Sequence, residues 1–430
     1  MSFAPREFLE GLCRTAIAAA HPATCLPDHL PLAPGQGRLI ILAAGKAAGS
    51  MTEIAERHYL ESERLPENRL AGLAVTRHGY GRPTRCIPVI EAGHPMPDEA
   101  GLAATNQVLA LADAATAEDL VLVLVSGGAS ANWIAPAAGL DLAEKRTVTQ
   151  ALLRSGASIG EINAVRKHLS RIKGGRLAAR AHPARLVTLA ISDVPGDDPA
   201  VIGSGPTVPD PTTLAEARAI VMHHRLDLPD AVARALADPA NETPKPDDPL
   251  FATTEFRLIA RPADAFAAAE KAVRAAGYDC VLLGDRVEGE AREIAAAHAR
   301  LALDLAAQHR RVVILSGGEL TVTIRGRGRG GPNQEYALAL ARALKGTSGI
   351  AGLACDTDGT DGGSGRPDDP AGAYIDSATV PRASALGLDP AAFLANNDST
   401  GFFARLGDLV TPGPTFTNVN DFRAILVDTR

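Results

Sequence analysis

Two buried-looking runs end in the same three residues, Val123-Leu-Val-Ser-Gly-Gly128 and Val313-Ile-Leu-Ser-Gly-Gly318. Glycines after a strand let backbone N–H groups approach an anion, and a helix that follows adds the positive end of its dipole. Ser126, Gly127, Gly128 and Ser130 in the first run, and Gly317, Gly318 and Glu319 in the second, are therefore candidate ligand-binding residues. The second feature is an imbalance of charge. From Ile162 to Ser192 there is no Asp or Glu, yet the stretch holds Arg166, Lys167, Arg171, Lys173, Arg176, Arg180 and Arg185. Val165, Leu169 and Ile172 fall at helical spacing and mark a buried stripe, so the basic residues project beside it. In an acidic protein this reads as a pocket for a polyanion, against the blander reading of a solvated basic face.

Three carboxylates, Asp356, Asp358 and Asp361, fall within Asp356-Thr-Asp-Gly-Thr-Asp-Gly-Gly363, directly after an apolar run. Hard oxygen ligands on a glycine-rich loop suit a divalent cation such as Mg²⁺, which needs one or two protein carboxylates when phosphates supply the rest. The EF-hand pattern fails for want of a bidentate acid at the right spacing. A solvated Asp-Gly turn is the competing reading. Lys46, in Ala-Ala-Gly45-Lys46-Ala-Ala-Gly49, follows a strand-like run and opens a small-residue helix, at the ligand edge of a sheet. Asp193, in Ser192-Asp-Val-Pro-Gly-Asp197, stands at another strand end and suits a general base.

The stretch Arg325-Gly-Arg-Gly-Arg-Gly-Gly331 satisfies G-x-G-x-x-G through Gly326, Gly328 and Gly331, with Asp356 lying 25 residues further on. That fingerprint would imply a nicotinamide dinucleotide. Against it, Thr321-Val-Thr-Ile alternates like a half-exposed strand, and three arginines crowd the turn that the glycines should open. A flexible cationic flap closing on phosphates accounts for both residue types. No Walker motif and no protein-kinase loop occurs.

The elements that must position these groups are α/β. Aliphatic runs at Leu39, Leu120 and Leu186 alternate with helical patterns, and a second series has strands near 256–260, 280–284 and 311–316. Continuous apolar strands between helices imply largely parallel sheets covered on both faces. Asp141 with Glu144 is a capping box for one helix, which Gly156 ends. The proline- and acid-rich stretch 237–249 reads as a linker, which places a Rossmann-like α/β domain at 1–240 and a second α/β domain at 250–430. The 430 residues suffice for two such cores.

Composition removes several classes. A net charge of −7 argues against a nucleic-acid or membrane coat, and 4% aromatics against a stacking surface for single strands. No run approaches the roughly 18 apolar residues of a membrane span. Five scattered cysteines without CxxC spacing point to a reducing, cytoplasmic setting, with neither a disulfide framework nor a zinc site. The sequence is compatible with a homo-oligomer.

Taken together the strings resemble glycerate 2-kinase of the class named for its C-terminal MOFRL region, some members of which also carry the name hydroxypyruvate reductase. The strings are Ala-Ala-Gly-Lys-Ala at 43–47, Val-Ser-Gly-Gly-Ala-Ser at 125–130, Asn163-Ala-Val-Arg-Lys-His-Leu-Ser170, Ile172-Lys-Gly-Gly175, Ser192-Asp-Val-Pro-Gly-Asp197 and Gly203-Ser-Gly-Pro-Thr207. They continue with Leu315-Ser-Gly-Gly-Glu319, Gly330-Gly-Pro-Asn-Gln-Glu335, Asp356-Thr-Asp-Gly-Thr-Asp-Gly362 and Thr417-Asn-Val-Asn-Asp421. The likeness spans nearly the whole chain. It implies two α/β domains with the active site in the cleft between them, and ATP- and Mg²⁺-dependent phosphorylation of the 2-hydroxyl of D-glycerate to 2-phosphoglycerate. Carried over by position, Lys46, Asp193 and Arg325 are the expected catalytic residues. Asn163, Arg166, Lys167, Lys173, Asn333 and Glu335 join the glycine loops as substrate and nucleotide contacts, and the Asp356 loop is the expected metal site. The alternatives are an NAD(P)H-dependent hydroxypyruvate reductase and a non-catalytic anion-binding module.

Overall fold

The computed structural model describes residues 4–363, 366 and 368–429. It forms two compact units, one of residues 25–259 and one of 260–430 together with 1–24.

The unit of residues 25–259 is built on six strands: β1 (Leu39–Ala44), β2 (Leu70–Arg77), β3 (Val89–Ala92), β4 (Leu120–Val125), β5 (Arg185–Ile191) and β6 (Thr254–Ala260), in the order β3-β2-β1-β4-β5-β6. The pairs β3/β2, β2/β1, β1/β4 and β4/β5 are parallel. Every residue of β1 and β4 is buried, as the unbroken aliphatic runs require. Between β4 and β5 the chain inserts helices, among them Leu142–Arg154 and Ile159–His168. The first starts with the expected Asp141–Glu144 capping box, and Gly156 follows its end with φ +77°. With the helix Leu214–His223 and the helix Asp230–Ala237 they close a separate small core containing Val148, Leu152, Val165, Leu169, Leu214 and Leu236.

The 237–249 stretch is not a free linker. Asn241 and Thr243 are buried, Thr243 Oγ1 donates to Asp210 Oδ2 at 3.1 Å, and Lys245 pairs with Glu242 at 2.5 Å. The following strand, β6, then joins the first sheet beside β5. Proline and acid density mark a chain without periodicity; they do not show whether polar side chains tie it down.

The other unit carries β7 (Asp279–Leu282), β8 (Gly289–Glu290), β9 (Arg311–Ser316), β10 (Leu320–Thr321), β11 (Ile350–Asp356), β12 (Gly372–Ile375), β13 (Leu409–Val410) and β14 (Asp421–Asp428). Its main sheet has the order β13-β12-β11-β14-β9-β7, and β8 with β10 forms a two-stranded ribbon. Here the expectation of a largely parallel sheet is corrected: only β7/β9 is parallel, and the four other pairs are antiparallel. A strand buried on both faces has the same aliphatic look whichever way its neighbours run. The helices Ala291–Ala307 and Pro332–Leu344 share a core with alternate residues of β9, β11 and β14. The first helix, Pro5–Ala20, packs on β11, β14 and the helix Pro262–Ala275, so it belongs to this unit and not to the one that follows it in sequence. Among the described residues no helix is long and apolar enough to cross a membrane.

Candidate active site

In the first unit Ala44, Val125 and Ala190 are level across β1, β4 and β5. Lys46, Ser126 and Asp193 therefore leave the carboxyl edge of three adjacent strands at nearly the same height, each strand about 4.8 Å from the next. Strand order reverses between β1 and β4, and that switch point is where open α/β sheets hold their ligands.

The Lys46 turn is held rigidly. Lys46 N donates to Gly127 O at 2.8 Å, Ala47 N to Ser126 Oγ at 3.0 Å, and Thr76 Oγ1 to Gly45 O at 3.0 Å. Gly45 has φ +116°, and a Cβ there would overlap Ser126. Ser126, fully buried, thus supports the lysine turn with its hydroxyl. A Cβ at Gly128 would meet the His94 ring at 3.0 Å and the Lys46 side chain at 3.4 Å, so both side chains lie against this glycine.

Beside this edge opens a cavity of about 380 Å³ lined by Ser130, Lys145, Arg146, Arg166 and Lys173, with apolar walls that include Pro95, Met96, Ile134 and Ile162. No Asp or Glu lines it. Lys173 Nζ donates to Ser130 O (2.8 Å) and Trp133 O (3.2 Å), and Lys145 Nζ to Arg166 O (2.8 Å) and Leu169 O (3.0 Å). Both ammonium groups are buried. Burial, together with neighbouring cations, pushes both well below the ordinary lysine range. Arg166, also lowered by burial, pairs with no carboxylate among the described residues. Three cations held together without a counter-charge are costly, and an anion in the cavity would offset that cost.

Other expected contacts are occupied elsewhere. Lys167 pairs with buried Asp210 at 3.3 Å, outside the cavity lining, and Asn163 is buried on the same helix without lining it. In the second unit the carbonyls of Gly317 and Gly318 receive Arg423, whose Nη1 also reaches Asp421 Oδ2 at 2.9 Å. Asn333 donates to Asp421 Oδ1 at 2.6 Å, and Glu335 accepts from Arg292 (2.6 Å) and Asn397 (3.1 Å). These groups form a buried framework, whereas Glu319 is exposed.

The three carboxylates of the expected metal loop each accept hydrogen bonds from the protein. Asp361 Oδ1 accepts Asn333 N at 3.0 Å and Oδ2 accepts Gln334 N at 2.8 Å, so both oxygens cap the Pro332–Leu344 helix. Burial and the neighbouring Asp421 lift its carboxyl to about 7. Asp358 accepts from Thr360 N at 2.7 Å and Asp356 from Asp358 N at 2.9 Å, which close the turn on itself. Among the described residues no group of three His, Cys, Asp or Glu is placed to hold a metal.

The same helix cap decides against the dinucleotide fingerprint. The helix that would face a pyrophosphate already has a carboxylate on its N-terminal N–H groups, and the strand before the glycines, β10, is two residues long and pairs only with β8. The Arg-Gly repeat is a pinned edge and not a loose flap. Asn397 Oδ1 accepts Arg325 N (2.7 Å) and Gly326 N (2.9 Å), and a Cβ at Gly326 or Gly328 would overlap Asn396 or Asp398. The glycines face that ledge, and Arg325, Arg327 and Arg329 alternate outward into solvent.

Sequence reasoning missed His94 and Lys145. Lys145 had a readable signal, for it stands on the apolar stripe Leu142, Val148, Leu152, where a solvated lysine has no place. His94 sits in Gly93-His-Pro-Met-Pro97 just after β3, and nothing in one sequence ties that segment to the Gly128 turn.

The chain matches the model of DUF4147, a domain of unknown function, over residues 8–237 and that of the MOFRL family over residues 312–421. It is 46% identical to an Agrobacterium vitis protein named provisionally as a hydroxypyruvate reductase, covering 98% of this chain and 94% of that one. It is 37% identical to a D-glycerate 2-kinase of Thermotoga maritima, with 95% of each chain covered. A crystal structure of glycerate kinase from the same organism superposes with a TM-score of 0.84 at 36% identity, covering 98% of this chain and 99% of that one. On these matches and on the arrangement of the strand-end loops, the chain belongs to the MOFRL-containing glycerate 2-kinase family.

Proposed function

We propose that the protein transfers the γ-phosphoryl group of ATP to the 2-hydroxyl of D-glycerate. The observation that carries this reading is the cation-lined, acid-free cavity at the carboxyl edge of the first sheet, beside the Lys46–Gly128 turn. A three-carbon hydroxy acid brings the carboxylate this cavity lacks, and phosphoryl transfer asks the protein mainly for positioning and positive charge. In the proposal Arg166 and Lys173 hold the acid's carboxylate. Asp193, at the end of β5, orients the 2-hydroxyl and accepts its proton. Lys46 stabilises charge that builds on the transferring phosphoryl. Mg²⁺ enters with the nucleotide as MgATP, and no step is assigned to protein-held metal.

The reading is tested by following ADP release and NADH oxidation side by side. ADP should form only with D-glycerate, stop with EDTA and resume with excess Mg²⁺. Hydroxypyruvate-dependent NADH oxidation without ADP would replace it with a reductase.

The carboxylate role has its own test. Arg166→Ala should raise KM for glycerate by about 10- to 100-fold, the worth of one charge-assisted hydrogen bond, with KM for ATP little changed. An unchanged glycerate KM would remove Arg166 from the acid's site.

A further inference from the structure

All five cysteines are free thiols, and the sulfurs of two of them, Cys13 and Cys355, touch at 2.8 Å. They are 342 positions apart, and the fold of the second unit brings them together by laying the helix Pro5–Ala20 on β11. We propose that Cys13 and Cys355 are an oxidative modification site, a dithiol that a hydroperoxide closes to a disulfide fastening the first helix to the strand that ends at Asp356.

Three observations support it. The sulfurs need to approach by only about 0.8 Å to reach bonding distance. Both cysteines line a cavity of about 460 Å³ whose wall also carries Arg6, Arg14 and Asp356, so a small polar oxidant has a way in. The two sulfurs also differ as a reacting pair must. Cys13 keeps 6% exposure and Cys355 only 1%, so Cys13 meets the oxidant first and Cys355 resolves it.

The reaction balances as two thiols and one peroxide giving one disulfide and two waters. Cys13 gives up its proton, its sulfur attacks a peroxide oxygen, the O–O bond breaks, and the released hydroxide takes up the proton Cys13 lost, forming the first water. Cys355 Sγ then attacks the Cys13 sulfenic sulfur. The S–S bond forms, the S–O bond breaks, and the second water leaves with the Cys355 proton. The sulfurs lose two electrons and the peroxide gains them.

The closed bond would hold the helix where other contacts already place it. Arg6 reaches the carbonyls of Gly407 and Leu409, and Thr417 Oγ1 donates to Ala20 O at 2.7 Å. A cross-link spanning so long a loop restricts the unfolded chain far more than the folded one.

The test uses the full chain with Cys25, Cys86 and Cys280 changed to serine, treated with hydrogen peroxide and read by intact mass, peptide mapping and thermal melting. The expected product is lighter by about 2 Da, yields one peptide joining residues 13 and 355, and melts several degrees higher until dithiothreitol reverses both changes. Cys13→Ser in that background should give no cross-link and no rise. Untouched thiols, or oxygen added to a single sulfur, would overturn the site. A cross-link with unchanged melting would overturn the fastening of the helix.

Discussion

Lys46→Ala is expected to lower kcat and kcat/KM together by about 100-fold or more, as loss of a charge that acts on the transition state does. The expectation rests on how the turn is built. The backbone at Lys46 is fixed by Gly127 O, and its successor Ala47 by the buried Ser126 hydroxyl. Neither bond involves the lysine side chain, so the variant keeps these backbone ties and loses the ammonium with its stem. The side chain lies against Gly128, at the point where the two halves of the sheet diverge. Lys46→Arg separates charge from shape: it restores charge but not a compact ammonium, and should recover only part of the rate. Steady-state kinetics at saturating glycerate and ATP decide the matter. A folded variant that keeps kcat and loses only ATP affinity would make Lys46 a binding residue.

What the sequence carried and what it withheld divide along physical lines. The strand-end positions of Lys46, Ser126 and Asp193 were legible because a parallel sheet puts every carboxyl end on one edge, and strand ends can be read from where aliphatic runs stop. That Lys173 stands among cations was legible, since the basic stretch around it holds no acid, and in the structure it lines the acid-free cavity. Lys167 stands in the same stretch, but its partner Asp210 lies 43 residues on, and only the fold pairs them. Asp361 shows the limit most sharply. An Asp-Gly loop after a strand is what a metal site needs, but it is also what a remote helix needs for a cap, and the residue types do not distinguish the two. The Arg-Gly repeat had the same ambiguity. Glycine at every second position serves flexibility, phosphate approach or tight packing against a ledge, and the ledge Asn396–Asp398 is distant in sequence. The antiparallel main sheet of the second unit was illegible for a simpler reason, as pairing direction leaves no mark on a strand buried on both faces.

Arg423→Met is expected to destabilise the protein by about 3–5 kcal/mol, the usual cost of stranding one partner of a buried ion pair. Arg423 stands in β14 with its guanidinium fully enclosed. It donates to Asp421, to Ser316 Oγ at 3.3 Å and to the carbonyls of Gly317 and Gly318. Methionine fills much of the space and supplies none of these donors. The Gly317 carbonyl and Asp421 are then buried without the partner that offset their desolvation. Asp421 already sits above the ordinary carboxyl range through burial, and Arg423 is the strongest influence holding it down. Without the arginine its native value rises further. A carboxyl raised in the native state keeps a proton that the unfolded chain gives up, so stability falls as pH climbs from the unfolded value towards the native one. His298 works in the same sense. Burial and the nearby Arg423 lower it to about 4, so the parent protein loses stability as pH falls below 6.5, and removing Arg423 relieves part of that loss. Both shifts make the variant's deficit larger at pH 8 than at pH 5, and urea melts at the two values followed by far-UV circular dichroism measure it. A deficit under about 1 kcal/mol, or one larger at pH 5, would mean that the Asp421–Arg423 pair is not what holds the Ser316-Gly317-Gly318 turn in place.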